Sequence, residues 1–266
     1  ETIPHVGGIL VSMYAKCGAL GKSREVLTGL NLRNVATWNA LISGYVKQKQ
    51  GKEALNCFEC MQSEGISPNS ITFVCMLKVC GIVQAIGKGH EIHTRIALAY
   101  LDENPFLGNA LVDMYAKCGF LAKAQQIFDI LPVHDTISWN VLITAYARHG
   151  LLVKAQELFD KLLARDIVSW NALIAGYAEN GNAREALKCY DQMLQDGISP
   201  NSSTFISTLK ACGSIGAEDD GRKIHNEIIK RKLVGKDLMV RRSLIDMYAK
   251  CGAFSKAYEV YKMLPS

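Results

Sequence analysis

Two sets of residues in this chain have types and spacings that could carry chemistry. Cys57 and Cys60 stand three apart, with His90 and His93 further on, and these are the residue types that ligate zinc. An asparagine follows a tryptophan at Asn39, Asn140 and Asn171, and Asn109 closes a related phrase. A side-chain amide offers one acceptor and two donors, enough to pair with the edge of a polar planar ligand. Asparagine is also a mediocre helix former, so its recurrence inside apolar periodic segments needs a reason.

The elements that must position these residues appear once the repeated phrases are aligned. MYAKCG occurs at 13–18, 114–119 and 247–252; WNALISGY (38–45), WNVLITAY (139–146) and WNALIAGY (170–177) form a second set. Cutting the chain ahead of each phrase yields units 4–34, 35–69, 70–104, 105–135, 136–166, 167–201, 202–237 and a clipped 238–266. Their lengths are 31, 35, 35, 31, 31, 35, 36 and 29 residues. A tandem period in the thirties is the signature of a solenoid.

Each unit reads as two helices. In 167–201, Trp170, Leu173, Ile174 and Tyr177 recur at i, i+3, i+4 and i+7, an amphipathic stripe that Gly181 and Asn182 interrupt. A second stripe through Ala186, Leu187, Tyr190, Met193 and Leu194 ends at Gly197 and Pro200. Sustained period-two alternation is absent. A lone hairpin cannot bury its stripe, so neighbours must stack. The expected fold is all-α: a right-handed superhelical solenoid of about eight stacked helix-turn-helix repeats.

Composition excludes other classes. With 266 residues, 49% of them hydrophobic, the chain can bury a large core. It has no apolar run long enough to span a bilayer as a helix, and ETIPHVGGIL lacks the basic start of a secretory signal. Nine cysteines in a chain of this length, without the spacings of a small secreted scaffold, suggest reduced thiols. A net charge of +5 is a mild pointer to a polyanionic partner.

Alignment removes the zinc reading. Cys57 aligns with Cys189, but Cys60 aligns with Gln192 and His90 with Arg222, while His93 and His225 fill the slot of Phe58, Phe128 and Phe159. These are expected to be packing residues, and no metal site or cofactor is expected. No nucleophile–base set, phosphate-binding loop or His-x-Glu with Pro-Cys-x-x-Cys is present, so the chain is expected not to be an enzyme.

Units of 31, 35 and 36 residues carrying SWNALIAGY, TFISTLKACG and SLIDMYAKCG resemble the P, L and S motifs of plant-type pentatricopeptide repeat proteins of the PLS subfamily. Under that resemblance 4–34, 105–135, 136–166 and 238–266 are S units, 35–69 and 167–201 are P units, and 70–104 and 202–237 are L units. The resemblance covers essentially the whole chain. It implies a modular binder of single-stranded RNA in mitochondria or chloroplasts, one unit per nucleotide. It further implies the recognition part of a C-to-U editing or RNA processing factor, with editing-factor proteins as candidate partners and no small-molecule substrate. A protein-binding scaffold within a larger organellar assembly is the alternative.

In the family the fifth and last residues of a unit jointly select the base. Asn39/Asn69 and Asn171/Asn201 would then read C or U, and Asn109/Asp135 and Asn140/Asp166 would each read U. Val74/Asn104 and Ile206/Asp237 fall outside the readable pairs. The implied target is 5′-N-Y-N-U-U-Y-N-N-3′, with Y a pyrimidine. Second positions, about 60° round the helix from the fifth, hold His5, Ala36, Ile71, Phe106, Ile137, Val168, Ser203 and Met239. The resemblance makes Ile71, Phe106, Ile137 and Val168 base-sandwiching wedges. Lys16, Lys47, Lys117, Arg148 and Lys250, at position thirteen, would contact phosphates. Each assignment has a structural counterpart. Asn or Asp before a helix is an ordinary cap, an apolar second residue can simply pack, and a late basic residue suits the helix dipole.

Overall fold

The computed structural model describes residues 3–98 and 104–262, with side chains from Val6 onward except that of Pro105. The side chain of His5 and the end of the eighth unit, 263–266, lie outside the described residues. Among the described residues are sixteen α-helices and no strand. They are α1 (Ile3–Lys16), α2 (Leu20–Thr28), α3 (Val35–Lys47), α4 (Gly51–Ser63), α5 (Ser70–Val83), α6 (Ile86–Leu98), α7 (Pro105–Lys117) and α8 (Leu121–Ile130). The remainder are α9 (Thr136–Arg148), α10 (Leu152–Asp160), α11 (Ile167–Glu179), α12 (Ala183–Gln195), α13 (Ser202–Ile215), α14 (Glu218–Lys230), α15 (Leu238–Lys250) and α16 (Phe254–Lys262).

The periodic stripes become the core. On α11, Trp170, Leu173 and Ile174 are buried, and on α12 so are Ala186, Tyr190 and Met193. Gly181, in the left-handed region at φ 81°, turns the chain between these two helices. Packing divides the chain into two compact units, Glu1–Ser138 and Trp139–Ser266. In the first, α1, α3, α5 and α7 pack in succession, and α2, α4 and α6 each contact the odd-numbered helix on either side. In the second, α11, α13 and α15 form the same succession, backed by α12, α14 and α16. Within each unit these helices thus pack against those one or two elements away, which makes the fold an all-α helical-repeat solenoid.

Close approach of consecutive odd-numbered helices depends on small residues. A Cβ on Gly176 would lie 2.5 Å from Ala147 Cβ and 3.3 Å from Ala147 Cα, atoms that cannot swing aside. Alanine in a helix interior gains about 1 kcal/mol over glycine, but overpacking costs about 1–3 kcal/mol. Gly176→Ala is therefore expected to lower stability by about 1 kcal/mol in a urea titration; a rise in the midpoint would contradict this packing.

Each expected end residue caps the helix that follows. Asn34, Asn69, Asp166 and Asn201 complete capping boxes with Thr37, Thr72, Ser169 and Thr204. Asp135 accepts from the Ser138 backbone N–H at 2.8 Å, Asn104 from that of Phe106, and Asp237 from those of Met239 and Val240. The capping account of these residues thus holds at all seven, and leaves open what else they do.

Candidate nucleic-acid interface

In α3, α7, α9 and α11 the start of the helix sets the fifth residue of the unit against the unit's last residue. Asn39 Nδ2 donates to Asn69 Oδ1 at 3.0 Å, and Asn171 Nδ2 to Asn201 Oδ1 at 3.2 Å. Asn109 Nδ2 donates to Asp135 Oδ2 at 3.0 Å, and Asn140 Nδ2 to both oxygens of Asp166, at 3.1 and 3.3 Å. Residues 26 or 30 positions apart are thus brought together in all four pairs.

The reason is directional. Each end residue already offers its oxygen to a backbone N–H of the helix it caps, so it is oriented as an acceptor. The only donor the facing asparagine has is its amide nitrogen, so the amide cannot flip. The amide carbonyl then points away from the pair, and here the two kinds of unit differ. Asn39 Oδ1 accepts from the Thr72 hydroxyl at 2.7 Å, and Asn171 Oδ1 from the Thr204 hydroxyl at 2.6 Å. Asn109 Oδ1 and Asn140 Oδ1 are buried with no hydrogen-bond partner. The serines in the equivalent places, Ser138 and Ser169, donate instead to the backbone carbonyls of Asp135 and Asp166.

Two features depart from the sequence reading. Pairing with the edge of a base calls for a fifth residue on an exposed helix face, yet Asn39 and Asn140 are 6% and 7% exposed. Their side chains fold back onto the capping residue rather than standing out from the helix. The hydroxyls of Thr72 and Thr204 belong to the same network, which the sequence does not signal because the capping box alone accounts for threonine at that place.

The wedge candidates stand clear of the core. Ile71, Phe106, Ile137 and Val168 are 61%, 76%, 65% and 51% exposed, so packing does not explain their apolar character. Met239, at the same position, is also exposed. Val74 and Ile206, at the fifth position of the L-like units, are half-buried and offer no hydrogen-bonding group.

The five basic candidates are all exposed but are not equivalent. Lys16 and Lys47 line one shallow groove with Ser12 and Ser43. Lys117 is ion-paired to Asp113 at 2.6 Å, and Lys250 to Asp246 at 2.7 Å. Their stems lie over Gly81 and Gly213, where an added Cβ would come within 3.1 and 3.2 Å of them. Exposed pairs of this kind are weak, but each neighbouring carboxylate cancels charge that a phosphate would otherwise meet.

The other chemical candidates are packing groups. His90 Nδ1 and His93 Nδ1 both lie 2.9 Å from the Tyr115 hydroxyl, and His225 Nδ1 lies 2.9 Å from that of Tyr248. Each histidine–tyrosine contact thus ties an L-like unit to the helix after it. Among the described residues no three His, Cys, Asp or Glu side chains gather as metal ligands. Burial pushes the Cys57, Cys80 and Cys189 thiols up to about 11 and Cys212 up to about 12, so they stay protonated at neutral pH. No described helix is long and apolar enough to cross a membrane.

Stacked helical hairpins, four of which carry an oriented amide tied to the cap of the next hairpin, define a helical-repeat protein. A PPR repeat family model matches residues 33–81 and 165–214, and a PPR repeat model matches 109–133, 137–167 and 242–266. The chain belongs to the pentatricopeptide repeat (PPR) family. It is 43% identical to the Arabidopsis thaliana pentatricopeptide repeat-containing protein At2g13600 over 98% of its own length. It is 34% identical over 100% of its length to the chloroplastic protein At4g18520 of the same plant. It spans 38% of the length of each of these relatives. The crystal structure of the pentatricopeptide repeat protein PPR10 in complex with an 18-nt psaJ RNA element superposes with a TM-score of 0.72 at 19% identity. That match covers 98% of this chain and 40% of that one, and establishes a shared fold.

Proposed function

We propose that this chain is a sequence-selective single-stranded RNA-binding module of the PLS type. Asn39, Asn109, Asn140 and Asn171 face the bases, as part of an organellar C-to-U editing or RNA processing factor. Family membership and relatives named chloroplastic or mitochondrial support the compartment class. A solved PPR protein crystallised on an 18-nucleotide RNA supports the ligand class. The module's role is recognition; no residue is assigned to catalysis.

The observation that carries the reading is the buried, unpartnered amide oxygen in the two Asn/Asp units. Leaving an acceptor unsatisfied costs about 1–3 kcal/mol, a cost that a donor from a base reaching the amide would remove. Uracil presents an N3–H between two carbonyls; cytosine presents a bare N3 beside an amino group. A unit whose free amide atoms include an acceptor suits uracil. A unit whose acceptor is already engaged, with the spare amide hydrogens of Asn69 or Asn201 left to donate, suits cytosine. The exposed side chains of Phe106, Ile137, Val168 and Ile71 supply apolar surface on which bases stack.

The test is a binding titration of the 266-residue chain against RNAs carrying UU, CC or AA at the fourth and fifth positions of the implied target. UU should bind most tightly. Equal binding of all three, or no binding, would overturn the reading in favour of a protein-binding scaffold. The basic groove makes a further expectation. Lys47→Ala should weaken every RNA alike and make the log–log salt slope shallower by about 0.7, the value for one phosphate on a single strand. Lys117→Ala should change the slope less, because Asp113 already shares its charge. A loss at Lys47 confined to one sequence would mean that it reads a base.

A further inference from the structure

The capping threonines of the L-like units lie outside the fifth-and-last pairing, yet they touch its central atom. Thr72 and Thr204 are fully buried, at the third position of the unit after each Asn/Asn pair. Each hydroxyl accepts from the backbone N–H of its cap, Asn69 or Asn201, at 3.1 Å. Its single proton goes to the nearer of two acceptors, the carbonyl of the asparagine one unit back, at 2.7 Å for Asn39 and 2.6 Å for Asn171, rather than to the cap's own Oδ1 at 3.1 Å. Thr37 supplies the contrast. It completes the same capping box with Asn34, but the fifth residue before it is Gly8, with no carbonyl to reach, and its hydroxyl donates to Asn34 O at 2.8 Å. Where Ser138 and Ser169 stand instead, the hydroxyl turns to the cap carbonyl and the asparagine oxygen stays unpaired.

We infer that Thr72 and Thr204 are specificity-determining residues for the preceding unit, withholding the carbonyls of Asn39 and Asn171 and so biasing those units from uracil toward cytosine. The inference rests on the proposed base-reading by these asparagines. With one lone pair of its carbonyl held by a buried hydroxyl, the amide presents N–H more readily than C=O, which favours the bare N3 of cytosine over the N3–H of uracil. Removing the hydroxyl frees the acceptor and weakens that preference, while the spare amide hydrogens of Asn69 and Asn201 still favour cytosine.

The experiment uses the full chain and two RNAs that differ only by C or U at the sixth position, opposite Asn171/Asn201. Thr204→Val, which keeps the side-chain shape, should lower the C:U affinity ratio about fivefold, the scale of one net hydrogen bond. Thr37→Val loses the equivalent capping hydroxyl and should leave that ratio within about twofold of the parent, although it costs comparable stability. If Thr204→Val does not fold, Thr204→Ser retains the capping hydroxyl and frees it to turn as Ser169 does. It should shift the ratio the same way by about two- to threefold. A parent that discriminates between the bases while the Thr204 variants do not alter its ratio overturns this inference alone. Equal shifts in the Thr37 and Thr204 variants would also overturn it, reducing both to capping effects. A parent that binds C and U equally overturns the base-reading and this inference together.

Discussion

A variant carrying Asp135→Asn and Asn140→Thr is expected to exchange its target, preferring C at the fourth base and G at the fifth in place of U and U. At the fourth base, Asn in place of Asp135 adds a spare amide N–H beside Asn109, so the unit gains a donor and loses a full negative charge. At the fifth, threonine in place of Asn140 removes the amide that Asp166 orients and leaves a hydroxyl before the same carboxylate. A hydroxyl before a carboxylate can accept from guanine's N1–H and amino group, which sets the expected preference for G; the lost amide requires that U recognition be lost. Each change is worth on the order of 1 kcal/mol, the scale of a net hydrogen bond. The two sites share no hydrogen-bond partner, so their effects should add to about 2 kcal/mol, or roughly thirtyfold between parental and switched RNAs. Titration of both proteins against both RNAs measures this directly. If parent and variant rank the RNAs identically, the amides do not read bases.

Trp170→Ala is expected to be the most damaging single change to stability, by about 3–5 kcal/mol, the range for deleting a buried aromatic. The indole is 1% exposed and meets Phe159 edge-on at 4.6 Å between ring centres. The Arg165 guanidinium lies over both rings, 4.7 Å from Phe159 and 6.0 Å from Trp170. The same residue immediately precedes Asn171 in the first turn of α11, so its loss also loosens the amide's anchor. The indole N–H is itself buried without a partner, so Trp170→Phe removes an unsatisfied donor along with some volume and should cost less than half as much. Chemical denaturation of the two variants separates these contributions. Equal losses for Phe and Ala would mean that the aromatic contacts contribute nothing beyond the ring's polar edge.

The helical solenoid is legible in the sequence itself. Spacing alone placed Trp170, Leu173 and Ile174 on one buried face, and a hairpin with one such face must stack on others to hide it. Capping at Asn69, Asp166 and Asn201 was equally legible, because it depends only on a short polar side chain next to the helix it starts. Aligning the repeats also showed that Cys60 and His90 have no counterparts suited to zinc, since chemistry confined to one unit cannot be the theme of all of them.

What the tertiary structure decided is where each amide points. Asn39 and Asn109 are the same residue at the same place in their units, and local sequence predicts no difference in their hydrogen bonding. Their carbonyls part company through residues more than twenty-five positions downstream: Thr72 donates to Asn39 Oδ1, whereas Ser138 donates to the Asp135 backbone and leaves Asn109 Oδ1 unpaired. The deep burial of Asn39 and Asn140 likewise follows from the facing cap, not from their own helix. Sequence periodicity determines which face of a helix is apolar, because the backbone's 3.6-residue turn is local. The state of a hydrogen-bonding group is set by whichever donor the packing of the next hairpin brings within about 3 Å, and that is a property of the stack.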